Sequence, residues 1–283
     1  MAIISFYFHF ETVVGILNAM QSGKNEVRLS LDLNLTEKLW PIEKDRLIID
    51  HTLFIDRKTL ETIASIKNKI FVFQDNALSP LEIRSHSYYK LAPTKTAPIL
   101  EIDGIKMHRS KEIDPLTDAK EKTRRVVSKG DFVLDTCGGL GYSALFAVKA
   151  GAKKVISTEK SSDVIQLRNL NPWLQKTDES QIMFIHADIT QYIDGLEDHL
   201  FNSVIHDPPR FTSATGDLYG KAFYDALYRV MAPHSKLFHY TGSPKKIKTG
   251  DRFVVNTVKR LETSGFTSVV FKDDLQGLFA KKD

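Results

Sequence analysis

The feature that most constrains the fold of this chain is a regular alternation of strand-like and helix-like segments from about residue 111 onwards. Apolar runs such as 132–135 and 154–159 are each followed by a stretch in which apolar residues recur with helical spacing. Strands and helices that alternate in this way build a mostly parallel sheet with helices on both faces, and such sheets bind ligands beyond the carboxyl ends of their strands. We therefore predict an α/β domain over residues 111–283, with its parallel strands over 132–135, 154–159, 181–188, 203–207 and 236–241.

The N-terminal region has a different rhythm. Segments 6–11 and 27–35 both alternate apolar with polar residues, a period that is typical of half-buried strands. Asp103-Gly104 lies between two apolar runs and predicts a β-hairpin, whereas the proline-containing segment 85–98 suits a linker or a substrate-facing loop. Residues 1–110 are therefore predicted to form a smaller, β-rich α+β domain that serves as an auxiliary or substrate-binding domain.

Composition excludes several classes of protein. The chain has 283 residues and a single cysteine, Cys137, so an intrachain disulfide and a two-cysteine zinc knuckle are impossible. The nine histidines show no metal-ligand spacing. The apolar first twenty residues contain no Lys or Arg and are interrupted by His9 and Glu11, unlike a signal peptide, and no later stretch reaches the ~20 uncharged residues of a membrane helix. We expect a cytoplasmic protein without a bound metal.

A glycine-rich turn joins the first predicted strand of the α/β domain to its helix, in the run DTCGGLGYSA (135–144). Glycines at such a turn let the backbone approach a ligand at the N-terminus of the helix. The spacing Gly139-x-Gly141-x-x-Ala144 also fits the dinucleotide fingerprint, so the glycines alone leave two classes of cofactor open. Asp135 at the strand end argues against a dinucleotide, because a carboxylate repels a pyrophosphate but attracts the ammonium group of the methionine half of S-adenosylmethionine.

Two further carboxylates end the next two predicted strands. Glu159 ends the run VISTE, where a carboxylate can accept hydrogen bonds from both hydroxyls of a ribose. Asp188 ends the run FIHAD, where its side chain can accept a hydrogen bond from an adenine amino group. One acid at a strand end is commonplace, but three at successive strand ends beside a glycine turn indicate a cofactor site.

The fourth predicted strand runs into HDPPRF (206–211). Its two prolines stiffen the backbone and remove two donors, so nearby carbonyl groups are expected to project as acceptors beside the Asp207 carboxylate. Such a cluster suits a substrate N–H group, because the acceptors orient the nitrogen lone pair towards an electrophile and Asp207 accepts the proton. Arg210 is a candidate for holding a phosphate or carboxylate, and Phe211 for stacking on a planar substrate.

In this order, DTCGGLGYSA, the acid of VISTE, HAD and HDPPRF resemble motifs I to IV of the class I S-adenosylmethionine-dependent methyltransferases, over residues 113–283. The longer runs MHRSKEIDPL and KLFHYTG resemble a group of predicted archaeal-type methyltransferases of undefined substrate. The resemblance implies a class I methyltransferase-like fold with S-adenosylmethionine as cofactor. It also implies the cofactor-binding residues: Asp135 at the methionine moiety, Gly138, Gly139 and Gly141 along methionine and ribose, Glu159 at the ribose diol, and Asp188 near the adenine.

The resemblance further implies an amine-directed reaction, because Asp207 and Pro208 match the start of the (D/N)PP(F/Y) motif of amine-directed methyltransferases. Here Arg210 occupies the usual aromatic position and Phe211 follows one residue later. The candidate catalytic residues are Asp207, Pro208, Arg210 and Phe211.

The leading hypothesis is a methyltransferase that acts on nitrogen, with tRNA or rRNA as acceptor and a small molecule or a protein as the other acceptor classes. Three features are compatible with binding to a phosphate backbone: the basic segment over 245–252, Arg210 and a sequence pI near 8.9. A net charge of +4 does not by itself require such a partner. Two alternatives stay open. An aminopropyltransferase of the polyamine-synthase kind combines the same sheet with a β-rich N-terminal domain, and a non-catalytic RNA-binding protein can retain the fold.

Overall fold

A computed structural model describes residues 5–74, 77–175, 179–242 and 250–283 of the chain. The chain folds into two compact units, one of Met1–Pro115 with Gln166–Lys176 and the other of Leu116–Ile165 with Thr177–Asp283. Segment 166–176 therefore belongs to the first unit although the chain has already entered the second, and no pattern in the sequence indicates this return.

Over residues 5–115, the first unit is built from small antiparallel sheets and two longer helices, which pack on each other. Within the described residues the strand orders are β1-β6-β7, β2-β3-β4-β5 and β11-β10-β9-β8. Val13 and Ile16 of the first helix and Leu60 and Ile63 of the second are fully buried in one apolar core. The elements are β1 (Phe6–His9), α1 (Phe10–Gln21), β2 (Glu26–Leu29), β3 (Lys38–Glu43), β4 (Arg46–Ile48), β5 (Phe54–Asp56), α2 (Arg57–Ala64), β6 (Ile70–Gln74), β7 (Ala77–Pro80), β8 (Glu82–Arg84), β9 (Tyr88–Ala92), β10 (Ile99–Ile102) and β11 (Ile105–Lys106).

The predicted strand over 6–11 is wrong at its end. Strand β1 stops at His9, and helix α1 begins at Phe10. The helix buries Val13, Ile16 and Met20, whose spacing of three and four residues is helical. Burial of this longer apolar face therefore outweighs the period of two over the preceding six residues.

The predicted strand over 27–35 also stops early, at Leu29. The hydroxyl of Ser30 then accepts a hydrogen bond from the Asn34 N–H at 2.8 Å. Leu33 and Asn34 have φ values of 55° and 68°, and two successive residues in the left-handed region cannot continue a strand. The alternation of leucines in this segment reflects burial in a loop.

Segment 85–98 is not a linker, because it contains strand β9, which pairs with both β8 and β10. Tyr89 and Leu91 of this strand are buried. The hairpin predicted at Asp103-Gly104 is confirmed: β10 pairs with β11, and both turn residues have positive φ, at 47° and 79°.

The second unit contains the predicted mostly parallel sheet, which is confirmed. Its strand order is β14-β13-β12-β15-β16-β18-β17, with parallel pairing from β14 to β16 and antiparallel pairing of β18 with β16 and β17. The remaining elements of the chain are α3 (Pro115–Arg124), β12 (Phe132–Asp135), α4 (Tyr142–Lys149), β13 (Lys154–Glu159), α5 (Ser162–Asn169), α6 (Pro172–Gln175), β14 (Ile182–His186), α7 (Ile189–Tyr192), β15 (Phe201–His206), α8 (Lys221–Val230), β16 (Met231–Tyr240), α9 (Gly250–Thr263), β17 (Thr267–Lys272) and β18 (Gly277–Lys282).

Helices cover both faces of this sheet. Successive residues of a strand point to opposite faces, so neighbouring residues of β12 report on the two sides. Leu134 packs in a cluster with Leu227 of α8 and Leu261 of α9. Val133 packs in a separate cluster with Ala144 of α4. With both faces covered, the polar residues at the strand ends collect at one edge of the sheet.

In the part of the chain that the structure describes, no helix combines the length and the apolar character needed to cross a membrane. The same residues include no group of three or more His, Cys, Asp or Glu side chains arranged to hold a metal ion.

Candidate active site

The carboxyl ends of neighbouring parallel strands bring the predicted site residues to one edge of the sheet. Asp135, the last residue of β12, is in register with Ser157 of β13 and with Ile205 of β15. Glu159, at the end of β13, is in register with His186 of β14. The motif residues therefore follow one another across β14, β13, β12 and β15.

The glycine turn after β12 requires glycine for two different reasons. A Cβ atom on Gly138 would lie 2.2 Å from the Ser157 hydroxyl oxygen, far inside van der Waals contact. Gly139 and Gly141 have φ values of 50° and 84°, which favour glycine. A Cβ on Gly139 would meet no atom within 4 Å, so the turn borders open space at this residue. The turn thus has room beside its backbone for a ligand.

Asp135 lies beneath this turn. Its side chain is fully buried, and one carboxylate oxygen accepts a hydrogen bond of 2.8 Å from the Ser157 hydroxyl. The same hydroxyl is the group that a larger residue at 138 would displace. In this structure Asp135 therefore supports the turn from the protein interior, and its contact with a methionine moiety stays a prediction.

Glu159 is tied to the turn from the neighbouring strand. Its carboxylate accepts the Gly139 N–H at 3.0 Å and the Ser161 N–H at 2.8 Å. Each bond uses a different oxygen of a half-buried carboxylate, so acceptor positions remain for hydroxyl donors. The arrangement suits a ribose diol beside the glycine turn.

Asp188 begins helix α7 as its N-cap. One carboxylate oxygen accepts the Thr190 N–H at 3.0 Å and the Thr190 hydroxyl at 2.7 Å. The other forms an ion pair of 2.7 Å with Lys160, whose side chain is 76% exposed. Burial alone would raise the pKa of Asp188, but the hydrogen bonds from Lys160 and Thr190 outweigh it and lower that pKa. Asp188 is thus an ionised hydrogen-bond acceptor, and its cationic partner is the long, solvent-exposed side chain of Lys160.

Asp207, directly after β15, has a partner that the sequence did not indicate. Its Oδ2 lies 2.7 Å from the ammonium nitrogen of Lys122, and that nitrogen also lies 2.7 Å from Oδ2 of Asp118. Asp118 and Lys122 are one helical turn apart on α3 and are both buried, whereas the Asp207 side chain is 27% exposed. One ammonium group therefore bridges α3 and the strand-end carboxylate.

Aromatic rings complete the surroundings of Lys122. Its ammonium nitrogen lies 4.4 Å from the ring centroid of Tyr240 and 5.6 Å from that of Phe238. Burial alone would lower the pKa of Lys122, but Asp207 and Asp118 outweigh it and hold that pKa above its ordinary value. From the sequence, Asp118 and Lys122 form an ordinary i,i+4 pair on a helix surface, so nothing local distinguishes them from a solvated pair.

The remaining HDPPRF residues divide into a buried and an exposed part. Pro208 is buried, and the carbonyl of Pro209 accepts the Tyr219 hydroxyl at 2.7 Å, so this carbonyl is not the open acceptor that the two prolines had predicted. Arg210 is exposed, as is Phe211, whose side chain is 54% exposed. The Phe211 ring packs edge-on against Tyr219, with 5.5 Å between the ring centroids.

Two neutral histidines lie beneath this edge. His206 is fully buried, and its Nε2 lies 2.9 Å from the Leu218 carbonyl, which can only accept, so Nε2 carries the proton and Nδ1 accepts from Thr136. Burial lowers the pKa of His206 from 6.5 to about 4 and also lowers that of His239, whose ring centroid lies 4.4 Å from that of His206 at a tilt of 42°. His239 contacts the Tyr224 hydroxyl at 2.8 Å. These residues form a buried layer that supports the site.

Part of the predicted basic segment cannot be placed. Lys245, Lys246 and Lys248 lie outside the described residues, while Arg252 is exposed on α9. The segment's role in phosphate contact stays a prediction.

No protein-family model matches the chain. The uncharacterized protein MJ1233 of Methanocaldococcus jannaschii is 38% identical over 272 residues, which cover 93% of this chain and 92% of that protein. The ribosomal RNA large subunit methyltransferase I of Aliivibrio fischeri is 28% identical over 123 residues, which cover 43% of this chain and 31% of that enzyme.

Among solved structures, spermidine synthase from Thermotoga maritima superposes with a TM-score of 0.57 at 16% identity, covering 73% of this chain and 75% of that one. A likeness at this level of identity establishes a shared fold and no more. The predicted fold, a class I methyltransferase-like α/β sheet preceded by a smaller β-rich domain, is confirmed.

Proposed function

The chain belongs to the same family as the uncharacterized protein MJ1233 of Methanocaldococcus jannaschii, and from this premise we propose that it is an S-adenosylmethionine-dependent methyltransferase that acts on a nitrogen atom of RNA. The observation that carries the proposal is a row of carboxylates along one edge of the sheet. Glu159, at the end of β13, is hydrogen-bonded to the glycine turn, and Asp207 follows β15, which lies on the other side of β12. The same proposal includes the narrower resemblance to archaeal-type methyltransferases with an HDPPRF motif. It also includes a cytoplasmic location.

The residues at the turn fit S-adenosylmethionine. The turn opens onto space at Gly139, and the half-buried Glu159 retains acceptor positions beside it for a ribose diol. Asp188, at the end of the next strand, offers carboxylate oxygen to an adenine amino group once Lys160 swings aside. Asp135 adds negative charge under the turn, which favours the methionine ammonium group and disfavours a pyrophosphate.

On the other side of β12, Asp207 is the group positioned to receive an acceptor nitrogen. Bound S-adenosylmethionine supplies a methyl group on a sulfonium, which is already a strong electrophile. The protein's task is then alignment, and orientation of this kind contributes up to about 7–11 kcal/mol of barrier reduction. Asp207 accepts a hydrogen bond from the acceptor N–H, directs the nitrogen lone pair away from the carboxylate, and takes up the proton as transfer proceeds.

RNA is favoured as the acceptor by three observations of unequal weight. One relative is a ribosomal RNA large subunit methyltransferase I, although the similarity spans only about a third of its length. Arg210 and Phe211 are both exposed beside Asp207, where a cation suits a phosphate and a ring suits a base. The basic segment 245–252 follows the neighbouring strand β16.

Aminopropyl transfer is the second candidate, because the fold is shared with spermidine synthase. A polyamine acceptor carries several positive charges and needs an acidic trough to hold it. Asp207 instead has the Lys122 ammonium at 2.7 Å and the exposed Arg210 three residues on. Lys122 and Arg210 balance the carboxylates of Asp118 and Asp207, so these four groups offer no net negative charge to a polycation, and we favour methyl transfer.

The proposal is tested by incubating the protein with S-adenosylmethionine labelled in its methyl group and with cell extract fractionated into tRNA, rRNA, protein and small molecules. We expect label in one of the RNA fractions, and we expect binding of that RNA to weaken steeply as salt rises from low to moderate concentration. Label confined to protein or small molecules would exclude RNA as the acceptor. Product formed from decarboxylated S-adenosylmethionine and putrescine, with no methyl transfer, would establish the second candidate instead.

A further inference from the structure

The buried ion triad of Asp118, Lys122 and Asp207 is not explained by stability alone. Three charged groups are removed wholly or partly from water here. Burial of charges costs several kcal/mol per ion, and well-packed apolar residues of similar volume are often as stable or more stable. A buried ion pair that spans two distant parts of the chain, residues 118–122 and 207, therefore calls for a role beyond holding the fold.

We infer that Lys122 is the positioning residue of the site, which fixes the Asp207 carboxylate in the orientation that meets the acceptor nitrogen. The inference rests on the proposed function. It deepens that function by assigning a role to a residue of α3, far from HDPPRF in sequence.

The geometry gives Lys122 this role in three ways. Its ammonium group holds Oδ2 of Asp207 at 2.7 Å, which fixes the side-chain rotamer and leaves Oδ1 to the acceptor. Asp118 holds the same ammonium at 2.7 Å from one helical turn away, so the cation is anchored to α3 independently of Asp207. The ring of Tyr240 at 4.4 Å confines it on a further side. The orientation of the Asp207 carboxylate therefore does not depend on the exposed loop that follows it.

Among the residues that the structure describes, Lys122 is the cation that pairs with Asp207. Cys137 and Tyr219 also interact electrostatically with Asp207, and burial raises the pKa of each, so both are neutral at physiological pH. Oδ2 of Asp118 and Oδ2 of Asp207 both lie 2.7 Å from the same ammonium nitrogen, so loss of the ammonium group would remove the attraction that holds the Asp207 carboxylate towards α3.

The test uses the full chain with the methyl acceptor fraction identified by labelling. The central variant is Lys122→Met, which keeps the length of the side chain and removes its charge, and the matched control is Lys120→Met, an exposed lysine on the same helix. Lys122→Arg is the conservative variant. Binding of S-adenosylmethionine is measured by calorimetry in each protein.

We expect Lys122→Met to lower kcat by about 10- to 100-fold, the loss that a misplaced reacting group produces, with cofactor affinity kept within about threefold. The KM for the acceptor should change less than kcat, because the substitution misplaces the reacting carboxylate and leaves the exposed residues after Asp207 unaltered. A residue that only stabilised the fold would not lower kcat in a folded variant that keeps its cofactor affinity. Lys122→Arg, which keeps the charge, should recover part of kcat, and Lys120→Met should match the unaltered protein.

A second measurement reports on the contact without requiring activity. The Lys122 ammonium resonance, assigned by its loss in Lys122→Met or Lys122→Arg, should shift in Asp207→Asn in NMR of the isotope-labelled chain. No shift would overturn the inference, as would a folded Lys122→Met protein with unaltered kcat. If Lys122→Met does not fold, the ammonium resonance is assigned from Lys122→Arg, and an unchanged resonance in Asp207→Asn overturns the inference equally. Failure of the proposed function looks different, because the unaltered protein would then label no fraction.

Discussion

The two halves of the sheet edge hold their carboxylates in opposite ways. In the half formed by β12, β13 and β14, Glu159 and Asp188 each accept hydrogen bonds from backbone N–H groups within two residues of themselves or in the adjoining turn, and the side-chain cation on Asp188 is the exposed Lys160. In the half formed by β15 and β16, Asp207 is satisfied by a buried lysine 85 residues earlier in the chain. The first half is a local backbone structure and the second is a tertiary contact between charged side chains.

Because of this difference, we expect the two halves to respond differently to substitutions. Backbone donors are fixed by the turn itself, so the first half is sensitive to glycine geometry. A side-chain cation is fixed only by its own packing, so the second half is sensitive to single substitutions far away in sequence.

The largest effect is expected at the β15–β16 half. Asp207→Ala removes the proposed acceptor for the substrate N–H and should lower turnover by about 10²–10⁴, the usual contribution of a positioned acid or base. The measurement is methyl transfer at saturating cofactor to the labelled acceptor fraction. Asp217→Ala, which removes an exposed carboxylate ten residues later, is the control and should keep its turnover. Retained turnover in Asp207→Ala would remove this residue from the reaction.

The buried histidine layer predicts a loss of stability in acid. The unfolded chain protonates His206 near pH 6.5, but the folded chain does so only near pH 4, so the unfolded state binds more protons between these values. The stabilising contribution is therefore complete above pH 6.5 and is lost as pH falls towards 4, by about 3 kcal/mol for this residue. Denaturant titrations across this range should show a shallower pH slope for His206→Gln. The exposed His234, changed to Asn, should leave the slope as it is.

The glycine turn predicts a somewhat smaller effect that combines stability with binding. Gly138→Ala places a methyl group 2.2 Å from the Ser157 hydroxyl oxygen. The hydroxyl group must then move and lose its hydrogen bond to Asp135. Overpacking of this kind costs about 1–3 kcal/mol of unfolding free energy, and cofactor affinity should fall with it. Gly195→Ala is the matched control, because its Cβ meets no atom within 4 Å. Equal stability of the two variants would show that the turn tolerates a side chain.

The smallest effect is expected at the outer ion pair of the β12–β14 half. Lys160 is 76% exposed, and exposed ion pairs contribute about 0–1 kcal/mol. Lys160→Met should therefore change the free energy of unfolding by less than about 1 kcal/mol, measured by denaturant titration. A loss of several kcal/mol would mean that this pair stabilises the fold far more than its exposure predicts.

The same contrast explains how much could be predicted from the sequence. The strand–turn–helix with Gly138, Gly139 and Gly141 and the acids at the strand ends are local patterns, and local patterns fix both the element type and the edge on which its end lies. The hairpin at Asp103-Gly104 followed for the same reason. These features follow from residues adjacent in sequence.

What could not be predicted depends on distant contacts. Lys122 has the spacing of any helix surface pair, and its burial depends on β15 and β16 folding against α3. Likewise the Pro209 carbonyl was expected to be open, but Tyr219 reaches it from ten residues away. In the first unit, helix α1 replaced the expected strand at Phe10 because its apolar face is buried against the core. Each miss is a case in which tertiary packing overrides a short local pattern.

We propose that the cofactor binds at the β12–β14 half and the acceptor at the β15–β16 half, and calorimetric titration of S-adenosylmethionine into three proteins separates the two. The unaltered chain should bind one equivalent. Glu159→Ala, which removes the proposed acceptor of two ribose hydroxyls, should bind it more weakly by about 1–3 kcal/mol, one to two decades in affinity. Asp207→Ala should bind it within about threefold of the unaltered chain. No binding to the unaltered chain, or loss of binding in Asp207→Ala with full affinity in Glu159→Ala, would contradict the account.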